Sequence, residues 1–140
     1  MSITLNPYLN FRGQAREALE FYASVLGGEP TVTTFAEGGM AEHVGAGEQD
    51  LVMHGQLITP LGLTLMCADA PEHIPGAGDR EGYSVSLSGT DSDTLAGYWD
   101  GLTVGGTITV PFEVAPWGDR FGMFKDRFGV DWMINSLASA

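Results

Sequence analysis

A single cysteine, Cys67, leaves the chain without an internal disulfide, and six basic side chains against 18 acidic ones leave it without the positive surface that phosphate backbones and anionic lipids require. Nucleic acid and membranes are therefore not expected partners. The formal charge of -12 reads as a solvated acidic surface that keeps the protein in solution. No apolar run approaches a membrane span and no basic-plus-apolar leader opens the sequence, so the expected location is the cytoplasm. Also missing are the GxSxG nucleophile turn, the GxxxxGK[ST] phosphate loop and any CxxC pair, which removes three common routes to chemistry.

What is present is a chain of 140 residues, enough for one domain or two very small ones, able to bury about two-thirds of its unfolded surface. Its 20 glycines and seven prolines imply many turns, while the 44% hydrophobic content is too high for disorder. The most informative stretch is Trp117 to Asn135, WGDRFGMFKDRFGVDWMIN. It predicts strands over 120–125 and 130–135, joined by Asp126-Arg127-Phe128-Gly129, with the glycine taking positive φ. Val130, Trp132 and Ile134 then share a core face, and Asp131, Met133 and Asn135 share the other.

Upstream, alternation predicts a strand from Thr4 to Phe11, with Leu5, Leu9 and Phe11 inward and Asn6, Tyr8 and Asn10 outward. Apolar spacing of three and four residues predicts a helix from Gln14 to Leu26, stopped by Gly27-Gly28. Further strands are expected over 29–36, 51–58, 61–67, 83–88 and 107–114, and a second helix over 91–102 capped by Asp91 or Ser92. Glu37 to Gln49 reads as a mobile, glycine-rich loop, a candidate lid, and 71–81 as a linker. The halves repeat. Tyr8 and Tyr83 open strands, Leu19 and Leu95 lie in helices, Phe21-Tyr22 matches Tyr98-Trp99, and Gly27-Gly28 matches Gly105-Gly106. The expected fold is α+β, a single domain over 1–140 made of two tandem βαβββ modules, about 1–70 and about 82–140. With one helix per module, one face of each sheet is left for the partner module or a ligand.

Two such modules resemble the vicinal oxygen chelate superfamily, which includes glyoxalase I, extradiol dioxygenases, fosfomycin-resistance enzymes and bleomycin-binding proteins. More narrowly, NPYLNFRGQAREALEFYASVLGG, LVMHGQL and WGDRFGMFKDRFGVDWMIN resemble its PhnB-like branch, nearly end to end. The resemblance implies curved sheets around a cup, with helices outside, but no single reaction. In metal-using members, His, Gln or Glu from the first and last strands of both modules hold a divalent ion in that cup. Carried over, the slots fall at Asn6, at Thr64 or Met66, at Tyr83 or Ser84, and at Met133. None is an imidazole or a carboxylate, so no metal or other cofactor is expected. A rebuilt site would have to draw on His54, Cys67, Asp69, Asp131 or Asn135. Relatives in the branch often carry the name of a ubiquinone-precursor methyltransferase, yet no glycine-rich strand-to-helix turn for a methyl donor is present.

His54, read as in phase with Val52 and Gln56, is the candidate pocket base, against the plainer reading of an imidazole hydrogen-bonded within its sheet. The candidate ligand-binding residues are Asn6, Tyr8, Asn10, His54, Tyr83, Trp117 and Met133. Trp117, Phe121, Phe124 and Trp132 form an expected aromatic cluster, Asp119 and Arg120 a turn pair, and Cys67 a small buried hydrophobe. His43 and His73 are expected at the surface. The sequence thus predicts a cytoplasmic, metal-free cup for a small, partly aromatic molecule. Its alternatives are a metal-dependent isomerase, lyase or dioxygenase rebuilt near His54, and a dimeric scaffold with a collapsed pocket. A homodimer is expected under all three.

Overall fold

The computed structural model describes residues 3–74 and 82–138. The chain divides into two compact units, Met1–Asp79 and Arg80–Ala140. The first contains β1 (Tyr8–Phe11), α1 (Ala15–Leu26), β2 (Thr31–Thr34), β3 (Val52–Ile58) and β4 (Thr64–Asp69). The second contains β5 (Val85–Gly89), α2 (Ser92–Leu102), β6 (Thr107–Val114), β7 (Arg120–Lys125) and β8 (Asp131–Ser136). The strand orders, β1-β4-β3-β2 and β5-β8-β7-β6, are the same order used twice. In each sheet the first and last strands run parallel and the other neighbours antiparallel. This is the α+β architecture of two βαβββ modules. Among the described residues no helix is long and apolar enough to cross a membrane.

Each helix covers one face of its own sheet. In the first unit Leu9, Phe11, Leu57, Leu65 and Cys67 meet Ala15, Ala18, Leu19 and Tyr22 of α1 in a dry core. In the second, Val130, Trp132 and Ile134 pack with Phe124 beneath Leu95, Trp99 and Leu102 of α2. Every large side chain so buried contributes roughly 1.5–3 kcal/mol. A helix-facing glycine in the strand next to the last makes room for the helix: a Cβ on Gly55 would lie 2.6 Å from Leu19 Cδ1, and one on Gly122 2.6 Å from the Trp99 ring. Beyond each helix a second glycine passes a strand end, Gly28 beside the Ile58 carbonyl and Gly106 beside that of Lys125, each 2.4 Å from where a Cβ would sit.

Strand register refines the repeat. Tyr8 pairs with Met66 and Ser86 with Met133, so Tyr8 corresponds to Ser86, 78 residues on, the same interval that separates Gly28 from Gly106. Gln56 pairs with Met66 and Met123 with Met133, an interval of 67 for the later hairpins. Tyr83 is therefore not the counterpart of Tyr8; it lies two residues before β5. The intervals differ because the first unit carries a longer connection between its second and third strands.

Other expectations are corrected. Thr4–Leu5 does not join β1, and Leu5 is fully exposed instead of facing the helix. Val52 is not in phase with His54: Thr33 pairs with His54 but Thr34 with Val52, so Met53 is an extra residue, and this bulge turns Val52 into the core. The segment expected to be a mobile loop contains local hydrogen bonds and a short turn. Thr34 and Glu37 exchange two hydrogen bonds, Ala41–His43 forms a 3-10 turn, and the Glu48 carboxylate accepts from the backbone N–H of Gly45 and Glu72. Arg12 donates to the carbonyls of Ala70, Pro71 and Ile74, which fastens the start of the expected linker to the first unit. Residues 75–81 of that linker lie outside the described residues.

Two buried carboxylates organise the strand ends. Asp69 accepts from the N–H of Gly13, Ala15 and Val52 at 2.8–3.0 Å, doing for α1 what its own N-cap residue, Gln14, does not. In the second unit Asp91 caps α2 directly through Thr94, and Ser136, where the first unit has Asp69, hydrogen-bonds Ser92. Asp126 accepts from the N–H of Phe128 and Val130 and from Trp132 Nε1, which locks the terminal hairpin over Gly129 at φ 84°.

Candidate functional site

The faces away from the helices carry the polar side chains that the core cannot explain. In the first unit register sets Tyr8 beside Met66 and Met66 beside Gln56, with Asn10 next to Ala68 and Thr33 next to His54. Leu9 and Phe11 point to the helix, so Tyr8 and Asn10 point away and are exposed. Tyr8 and His54 are joined: the phenol oxygen lies 3.1 Å from His54 Nδ1, with ring centroids 5.8 Å apart. Burial, reinforced by the nearby Cys67 sulfur, raises the Tyr8 pKa above its ordinary value, so the phenol keeps its proton at neutral pH. The phenol O–H can donate to Nδ1 or accept from Nδ1–H, according to the imidazole tautomer. The arrangement can bind an acceptor atom or pass a proton between two linked groups.

Asn6 stands before β1, its amide turned to the Pro7 carbonyl and to Thr4. Among the second unit's sequence-predicted site residues, Met133 is half-buried on the open face, paired with Ser86 and Met123. Tyr83 is half exposed at the entry to β5. Trp117 is 64% exposed in the turn before β7, its ring 5.9 Å from that of Phe121. The expected aromatic cluster is thus two clusters. Phe124 and Trp132 stack in the core with Trp99 and Phe112, whereas Trp117 and Phe121 are on the open side. Asp119 closes the turn before β7, its carbonyl accepting from the Ala115 N–H and its carboxylate from Asn135 Nδ2 and the Ala138 N–H, while Arg120 lies over Phe112.

The donor set can be tested against a divalent ion. Met66 is the first unit's counterpart of Met133, and Ser84 corresponds to Asn6 by the interval of 78, so register selects Met66 and Ser84 from the two open pairs of slots. Two thioethers, a hydroxyl and an amide offer no charge and little hard-donor character. Within the first unit the residues of a rebuilt site do not gather around His54. Cys67 and Asp69 lie on the helix side, with Asp69 filled by three backbone N–H groups, and Asp131 pairs with Lys125 at 3.1 Å. Among the described residues no three His, Cys, Asp or Glu side chains converge. These donors do not fit the ion.

Sequence reasoning missed Met66 as the cross-strand partner of Tyr8 and Phe121 as that of Asn135. Alternation carried that signal in β8, but the cross-strand partners depend on register. A separate cavity of about 210 Å³ in the first unit, lined by Arg12, Gly13, Glu48, Leu51, Ala70 and Glu72, includes neither Tyr8 nor His54.

A sequence profile of the Glyoxalase/Bleomycin resistance protein/Dioxygenase superfamily matches residues 4–134. Protein YjdN of Escherichia coli (strain K12) is 29% identical over 94% of this chain and 93% of its own length. Protein PA1353 from Pseudomonas aeruginosa is 33% identical and superposes with a TM-score of 0.81, covering 96% of this chain and 97% of that one. The PhnB protein from Bacillus cereus, 22% identical, has the same fold with a TM-score of 0.73 over 95% of this chain and 98% of its own. With the duplicated sheets already in view, the match across almost the whole sequence establishes that the chain belongs to the glyoxalase/bleomycin resistance protein/dioxygenase superfamily.

Proposed function

We propose that the protein binds a small, partly aromatic molecule on its open sheet faces without a metal ion, through Asn6, Tyr8, Asn10, His54, Tyr83, Trp117 and Met133. One observation carries this reading: the Tyr8–His54 hydrogen bond at 3.1 Å, on a face that no helix of its unit covers. A paired phenol and imidazole is a recognition element, and the residues beside it in register, Met66, Gln56 and Asn10, are neutral. The same pair favours one second reading, a proton-transfer enzyme in which Tyr8 and His54 pass a proton to and from the bound molecule.

The test is a thermal-shift screen of small aromatic acids, quinones, aldehydes and glycopeptide drugs, with and without divalent metals. Hits that persist in chelator and are lost in Tyr8→Phe and His54→Ala support the reading; hits that need added metal contradict it. Mass spectrometry of a bound hit after incubation distinguishes binding from turnover. A cytoplasmic homodimer completes the proposal. The exposed Ile108, Val110 and Val114 on the edge strand β6 support it, and light scattering should give twice the 14.9 kDa chain mass.

A further inference from the structure

Asn135 Oδ1 is buried and has no hydrogen-bond partner among the described residues. Its amide cannot simply turn over, because Nδ2 donates to Asp119 Oδ2 at 3.4 Å and a reversed amide would set two oxygens together. The acceptor is therefore fixed and unfilled. Around it, Phe121 is the cross-strand partner of Asn135, Trp117 leans on Phe121 with 64% of its surface exposed, and Ser88 flanks Asn135 on the other side. Asp119 accepts only two hydrogen bonds among the described residues, fewer than a carboxylate can take.

The fold does not require this set. At the corresponding places of the first unit stand Ala68 for Asn135 and His54 for Phe121, following the interval of 67 residues between the later hairpins. At this corner of the second unit a buried acceptor, a carboxylate with spare capacity and an exposed indole stand together. A bare acceptor calls for a donor, a carboxylate for positive charge, and the ring pair for a flat apolar group. The net charge of -12 favours a cation over an anion throughout.

We propose that this corner of the second unit is a subsite for the ammonium end of an aromatic amine, with the ring on Trp117 and Phe121 and the N–H groups donating to Asn135 Oδ1 and Asp119. It rests on the reading that the open faces bind a small molecule, and it narrows the ligand class. The probes are phenethylamine and its acidic and neutral analogues, phenylacetate and 2-phenylethanol, titrated into the full chain by calorimetry, with the indole N–H signal of Trp117 followed by NMR. Phenethylamine should bind, shift that signal, and outbind phenylacetate roughly tenfold or more. Asn135→Ala and Asp119→Asn should each weaken it by about fivefold or more, and so should Trp117→Leu, a surface change that leaves the melting temperature alone. Equal affinity for amine and acid, indifference to Trp117→Leu, or no saturable amine binding would overturn the assignment. If the amine fails while another aromatic binds in a Tyr8- and His54-dependent way, the subsite falls and the wider reading stands. If no aromatic binds at all, both fall.

Discussion

Cys67 lies against the N-terminal turn of α1, its sulfur 3.8 Å from the Ala15 carbonyl, and burial together with Asp69 pushes its thiol up to about 12. The native thiolate at mildly alkaline pH should then be scarcer than in the unfolded chain by roughly a thousandfold, and reaction with a disulfide reagent slower to match. A native rate within tenfold of the rate in denaturant would contradict this. Because the folded value exceeds the unfolded one, the native state holds its proton longer. This contribution is complete below the unfolded value near 9 and is lost as pH rises toward about 12, so denaturation midpoints should fall over that range and fall less in Cys67→Ala. Asp69 has the opposite task, accepting three backbone N–H bonds at once. Asp69→Ala should cost about 3 kcal/mol or more, measured by urea denaturation, and Asp69→Asn less, since one carbonyl oxygen still accepts. At this scale the sequence was partly legible. Cys67 could be read as buried, because a lone cysteine in an apolar strand is a small hydrophobe. Asp69 could not be read as a helix cap, because its partners at Gly13 and Val52 are distant in sequence.

Among the elements, the glycines that face the helices set how closely helix and sheet approach. A methyl group on Gly55 would meet the end of the Leu19 side chain, which can rotate aside, whereas one on Gly122 would meet the rigid Trp99 ring and the Phe112 backbone at 2.9 Å. Gly122→Ala should therefore lower the melting temperature clearly more than Gly55→Ala; the reverse order would show that the second unit's core is looser than its packing implies. Both helices and the terminal hairpin were readable from local pattern, since amphipathic spacing, the Asp91 cap and the Asp126–Gly129 turn are all short-range. The bulge at Met53 was not. It arises from pairing with β2 across a loop, and it changes the phase of Val52 relative to His54.

For the whole molecule, duplication was legible from Gly27-Gly28 and Gly105-Gly106 because those pairs are fixed by a close backbone approach. Tyr8 and Tyr83 misled, as aromatic residues near strand starts recur without occupying equivalent places. The two copies differ on their open faces, one carrying the Tyr8–His54 pair and the other Met133, Phe121 and Asn135. The central claim is that small-molecule binding proceeds on these faces without an ion. It is tested most directly by calorimetric titration of the strongest ligand from the aromatic screen into chelator-dialysed protein and into zinc-supplemented protein. The account predicts the same affinity in both and its loss in His54→Ala; binding seen only after metal is restored would contradict it.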